Sequence, residues 1–158
     1  MSAKQFRPSN SLLRLEPVTN RNRAAVLAMD VAPEQSNFVA TNFDSLKEAR
    51  EDDEAYPRAI VAEGKVVGFL MYSWSKNETT AVLYRMMIDK TQQGKGYGTA
   101  AVRAALDEIA QRGSRFVNII YDPDNHVARR LYATFGFVEI GLDEDDEMVA
   151  RLALDGRP

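Results

Sequence analysis

Gly94, Gly96 and Gly98 stand at alternate positions between an apolar run ending at Ile88 and a run with helical periodicity beginning near Thr99. A loop that leaves a strand and enters a helix presents several backbone amides at the positive end of the helix dipole, and glycines let a ligand approach that backbone closely. Lys95 can add positive charge. The chemistry this favours is binding of a phosphate or pyrophosphate group. An ATP-type loop ends in Gly-Lys-Ser or Gly-Lys-Thr, and Gly96 after Lys95 breaks that ending. A dinucleotide fingerprint is met in spacing by Gly96-x-Gly98-x-x-Ala101, with Asp122 near the position that would meet a ribose. That fingerprint opens a series of βα units, however, and only about 60 residues remain, closing in an antiparallel pair. A glycine turn that binds nothing is the structural alternative.

A second constellation is Asn125-x-x-Ala128-x-x-Leu131-Tyr132-x-x-x-Gly136-Phe137. Its chemical residue is Tyr132, which alone would read more readily as a core tyrosine on an amphipathic helix. Other chemistries lack their residues. With no cysteine, disulfides, thiolate nucleophiles and Cys-ligated zinc are excluded, and a single histidine, His126, disfavours a Ser-His-Asp triad or a multi-histidine metal site. His126 itself reads as an exposed first-turn residue. No metal is expected.

The net charge is -3 and the basic residues are scattered, so nucleic acid is not an expected partner. No run of about 18 apolar residues occurs, so neither is a membrane, and the absence of cysteine is compatible with the cytoplasm. At 158 residues and 45% hydrophobic content, one domain is expected over residues 11–154, between loose ends at 1–10 and 155–158.

The elements that must position these residues follow from periodicity. Residues 12–16 alternate Leu with polar residues before Pro17, which predicts a strand. Asn20 or Asn22 can cap a helix reaching Met29, and residues 33–42 read as a connection. Ser45 and Glu48 form a capping-box pair for a second helix ending near Tyr56-Pro57. Two β-rich runs, 58–62 and 66–74, meet at Glu63-Gly64-Lys65 as an antiparallel hairpin. Residues 81–88 read as a central strand covered on both faces. Then come a helix closed by Gly113, a strand over 115–121, a helix from the turn at 122–125 to Phe135, and two final strands over 137–141 and 148–154. The predicted fold is an α/β mixed sheet of order β-α-α-β-β-β-α-β-α-β-β.

With both motifs and this order, the chain resembles the GNAT superfamily of N-acetyltransferases over about residues 12–154. Gln93-x-x-Gly96-x-Gly98 resembles its pyrophosphate motif, and residues 125–137 resemble its second cofactor-contacting helix. Segments 35–39, 67–72 and 84–89 further resemble the bacterial spermine/spermidine acetyltransferase branch.

The resemblance implies acetyl-CoA as cosubstrate, inserted between splayed central strands. It implies contacts from the backbone of Met86, Met87 and Ile88 to the thioester end, and from Gln93, Gly94, Lys95, Gly96, Tyr97, Gly98 and Thr99 to the pyrophosphate. Asn125, Ala128 and Arg129 would face the pantetheine or adenosine portion, and Tyr132 would protonate the departing thiolate. Phenol and thiol have pKa values of about 10 and 8.5, close enough for such a transfer.

The acceptor would be a small-molecule primary amine, with polyamines favoured, and the enzyme a homodimer. Neutralising an alkylamine of pKa about 10.4 at pH 7 costs roughly 4.6 kcal/mol, so a base or water chain is expected. Val82 occupies the position where some members carry a glutamate. Tyr84, Glu34 and Asp89 are the remaining candidates, with Glu34, Asp44 and the run 143–147 as carboxylates that could receive a polyamine. Arg85 would repel a polyamine unless paired or turned away, and Trp74 belongs either to the core or to the acceptor cleft. A catalytically silent acetyl-CoA-binding module is the alternative function.

Overall fold

The computed structural model describes residues 13–29 and 41–154. They run β1 (Leu13–Pro17), α1 (Arg23–Ala28), α2 (Asn42–Arg50), β2 (Ala55–Ala62), β3 (Lys65–Ser73), β4 (Thr80–Ile88), α3 (Tyr97–Gln111), β5 (Phe116–Tyr121), α4 (His126–Thr134), β6 (Val138–Leu142) and β7 (Met148–Ala153). The strands form one sheet in the order β1-β2-β3-β4-β5-β7-β6. Every pairing is antiparallel except β4 with β5. The mixed α/β fold and the element order are those read from the sequence. Glu34 and segments 35–39 lie outside the described residues, as do both termini.

Alternation along β2 and β3 builds two cores. Ile60, Ala62 and Leu70 pack with Val102, Leu106 and Ile109 of α3, while Ala59, Val61, Phe69 and Met71 pack with Val26 of α1 and Leu46 of α2. Successive strand residues point to opposite faces, so the sheet is covered on both sides.

Four local expectations change. The cap of α2 is Thr41, whose hydroxyl accepts from the Asp44 amide at 3.1 Å. Ser45 instead lies one turn inside, buried with its hydroxyl unpartnered among the described residues, and Glu48 reaches Arg85. The helix stops at Arg50, because Tyr56 and Pro57 pair with Tyr72 and Met71 in the sheet. Pro57 is tolerated there because β1 ends its pairing one residue earlier, at Arg58, so no ladder bond to β1 is lost.

Asn22 precedes α1 without capping it. Its Oδ1 accepts from the Thr19 amide at 2.9 Å and its Nδ2 donates to the Pro17 carbonyl at 3.0 Å, which closes the preceding turn. Lastly, β4 is not covered throughout. Ala81, Leu83 and Met87 are buried, but Tyr84, Arg85 and Met86 are only half-buried.

Candidate active site

The exposure along β4 has a backbone cause. β4 pairs with β5 from Thr80↔Phe116 to Leu83↔Ile119 and no further, so the two strands separate in their second halves. On its other side, β4 remains paired with β3, but the register slips between Met71↔Arg85 and Tyr72↔Leu83. Tyr84 is the extra residue, a β-bulge that turns the strand. The bulge also exchanges faces: Ala81 and Leu83 belong to the α3-side core, and after it Met86 and Ile88 do so, with Met87 joining the other core.

A cleft of about 440 Å³ fills the gap. Tyr97, Gly98, Ala128, Leu131 and Tyr132 line it from the α3 and α4 side, and Tyr84 and Met87 from the side of the second core, so it passes through the plane of the sheet.

The glycine loop closes one end. The Asp89 amide donates to the Val67 carbonyl at 2.8 Å as the chain leaves β4, and a 3-10 turn at Lys90–Gln92 follows. Gly94 and Gly96 have φ of 80° and 84°, the left-handed region that favours glycine, and Gly96 is the residue that starts α3. A Cβ at either position would meet nothing within 4 Å, so the loop faces open space. Gln93 Nε2 donates to the Ile88 carbonyl at 2.9 Å, fixing the loop against the end of β4.

On the facing wall, Asn125 caps α4 by accepting from the Ala128 amide at 3.1 Å. One face of α4 then carries Ala128, Leu131 and Tyr132 into the cleft. The Tyr132 ring is 7% exposed and packs on Tyr121 and Phe137 at 5.3 and 6.0 Å between centroids. Burial pushes its phenol well above 10, so it is protonated at neutral pH.

Arg129 is placed differently from expectation. Its Nε and Nη2 donate to both oxygens of Glu139 on β6, at 2.6 and 3.2 Å, and it is not among the residues lining the cleft. Arg129 follows Ala128 directly and so lies about 100° around α4 from the face that carries Ala128, Leu131 and Tyr132, where it meets β6 at the sheet edge. Arg129 holds the Glu139 carboxyl below the usual range, and the Tyr121 hydroxyl donates to the same carboxylate at 2.7 Å. Burial, then Glu139, pushes Tyr121 up to about 12. The clamp thus joins α4, β5 and β6 behind Tyr132.

Met86, Met87, Ile88, Gln93, Gly94, Gly96, Tyr97, Gly98, Asn125, Ala128, Tyr132 and Tyr84 all meet in this cleft. Lys95 and Thr99 are not part of its lining. The Lys95 ammonium donates to Gln92 Oε1 at 3.0 Å, and Thr99 lies in the first turn of α3. Asp89 caps the turn after β4, Asp44 sits in the first turn of α2, and neither lines the cleft. Trp74 is half-buried beside Tyr56 and Arg112, away from it.

Arg85 does line the cleft, but its Nη2 donates to Glu48 Oε1 at 3.0 Å and its guanidinium lies over the Tyr84 ring at 5.0 Å. The expected repulsion is therefore offset by pairing. Burial, then Glu48, pushes the Tyr84 phenol up to about 12.

Sequence reasoning missed Tyr121 and Ile120 in the lining, although their place at the end of the strand parallel to β4 was the available signal. Within the acidic run it did not separate Glu147, which lines the cleft.

The sequence model of the Acetyltransferase (GNAT) family matches residues 20–137. A spermine/spermidine N(1)-acetyltransferase of Bacillus subtilis is 33% identical over 146 residues, covering 87% of this chain and 95% of that one. A mycothiol acetyltransferase of Saccharomonospora viridis is 32% identical over 127 residues, covering 73% of this chain but 40% of the relative. Among solved structures, spermidine N-acetyltransferase from Vibrio cholerae in complex with CoA and spermine superposes with a TM-score of 0.75 at 16% identity, covering 90% of this chain and 96% of that one. A strand pair parted beside a glycine loop, in a chain matched by the family over most of its length, leaves one conclusion: the protein belongs to the GNAT acetyltransferase family.

Proposed function

We propose that the protein transfers an acetyl group from acetyl-CoA directly to a primary amine of a polyamine-type acceptor. The observation that carries this is the cleft between the parted halves of β4 and β5, with glycine-loop amides at one end, Tyr132 in its wall and openings toward both faces of the sheet. The residues fit the cosubstrate. The volume is that of small-ligand sites, the loop faces open space at Gly94 and Gly96, and the β4 backbone beyond Leu83 has no β5 ladder partner. When bound, acetyl-CoA supplies an activated thioester.

The backbone of residues 93–99 holds the pyrophosphate, aided by the dipole of α3. The Met86 and Ile88 amides lie on the edge of β4 that β5 leaves free and would pair with the pantetheine arm, one of them polarising the reacting carbonyl. Met87, whose backbone faces β3, lines the cleft with its side chain. Asn125 and Ala128 bound the arm on the α4 side, and Tyr132 supplies the proton to the leaving sulfur. Polyamine acceptance is supported by the pairing of Arg85 with Glu48, by the carboxylates of the 143–147 turn, and by relatives named for spermine and spermidine.

The test is release of free thiol from acetyl-CoA with spermidine, spermine, an aminoglycoside, free amino acids and a cysteine-bearing amine. Polyamines should stimulate release most. Stimulation by no amine, with acetyl-CoA still bound in calorimetry, would instead identify a silent acetyl-CoA-binding module.

A further inference from the structure

An ammonium ion entering this cleft leaves water for walls built from Leu83, Met86, Met87, Ile119, Ile120 and Leu131. That transfer is unfavourable unless an anion meets it. Among the described residues lining the cleft, only two carry a formal charge, Arg85 and Glu147. Arg85 is engaged by Glu48. The Glu147 carboxylate has no hydrogen bond or ion pair among the described residues.

Its position is nevertheless fixed. Asp143 Oδ1 accepts from the Asp145 and Glu147 amides, both at 2.9 Å, and the Asp143 amide donates to the Glu147 carbonyl at 2.8 Å. Asp146 takes the left-handed conformation, φ 61°, which closes the turn. Met148, the next residue, pairs with Tyr121 at the end of β5. The turn therefore delivers Glu147 to the strand end where β5 has parted from β4.

From these placements we infer that Glu147 is the specificity-determining residue of the acceptor site, pairing with an ammonium of the acceptor that stays charged while another nitrogen reacts. This rests on the proposed polyamine reading and assigns its recognition to one carboxylate. The charged groups acting on Glu147 are Arg85 of β4, Asp122 after β5, and Asp143 and Asp145 of its own turn. Burial and then Asp143 raise its pKa, with Arg85 opposing, so its anion is under-compensated by the charges around it. A second cation restores the balance. The nearby carboxylates outnumber Arg85, which favours acceptors with two or more positive charges over those with one.

The experiment compares a diamine with a monoamine of equal chain length as acceptors for the wild type, Glu147→Gln and Glu147→Asp. For Glu147→Gln the KM for the diamine should rise roughly tenfold, the loss of one charge-assisted contact. Its KM for acetyl-CoA should stay within about twofold, and the diamine-to-monoamine preference should fall by about the same factor as the diamine KM rises. Glu147→Asp, which keeps the charge, should recover part of the preference. Raising salt should weaken diamine use by the wild type more than by Glu147→Gln. If the wild type acetylates the diamine and Glu147→Gln does so with the same KM and preference, the inference is overturned while the acetyltransferase reading stands. A wild type that acetylates no amine overturns both.

Discussion

Tyr132 holds its proton more tightly in this site than a phenol does in water, because its ring is buried against Tyr121 and Phe137. A sequence-based match of about 10 to about 8.5 between phenol and thiol understates the gap. Burial guarantees that the donor is protonated at neutral pH but makes the transfer itself more uphill, so the gain depends on position. Tyr132→Phe keeps the ring packing and removes the proton. Turnover should fall by about a hundredfold or more, the usual range for a positioned acid, with acetyl-CoA affinity nearly unchanged. Unchanged turnover in steady-state kinetics would take the role from Tyr132 and leave it a packing residue.

The functional element is β4, and its shape depends on a neighbour that carries no chemistry. A Cβ added to Gly68 of β3 would lie 2.5 Å from the Met87 carbonyl, and 3.0 and 3.1 Å from side-chain atoms of Ile88 and Ile60. Backbone cannot yield as a flexible side chain can, so Gly68→Ala should push β4 toward the cleft. Destabilisation of about 1–3 kcal/mol in urea unfolding is expected, with weaker acetyl-CoA binding because the displaced residues line the site. Normal affinity in a destabilised variant would show that the strand relaxes away from the cleft. The same element marks where sequence reading ended. Residues 81–88 read as one continuous apolar strand, and nothing local says that Tyr84 bulges or that β5 departs after Ile119. The glycine loop and α4 were legible because a left-handed backbone selects glycine and a helix repeats its apolar positions. The pairing of Arg129 with Glu139 was not legible, because the two come together only through the pairing of β6 at the sheet edge.

Across the whole molecule, the hydroxyls of Tyr72 and Tyr121 tie layers together, and all four strongly shifted tyrosines move the same way. Tyr72, fully buried, donates to Glu108 Oε2 of α3 and accepts from Arg112 Nε at 2.9 Å, while Glu108 also receives Arg58 Nε of β2 at 2.8 Å. Burial, then Glu108, pushes Tyr72 up to about 12, matching Tyr84 and Tyr121, with Tyr132 higher still. Each group binds its proton more tightly folded than unfolded. The stability they confer is therefore complete below about pH 10 and is lost as pH rises toward 12, by up to about 1.4 kcal/mol per pH unit for each buried tyrosine. Urea unfolding across this range, followed together with tyrosinate absorbance, should show late ionisation coinciding with loss of structure. Tyr72→Phe should be less stable at neutral pH yet lose stability less steeply above pH 10, by about one tyrosine's share of the slope. A slope identical to that of the wild type would mean that Tyr72 gives up its proton as readily in the fold as in the unfolded chain, and that the contact with Glu108 does not hold it.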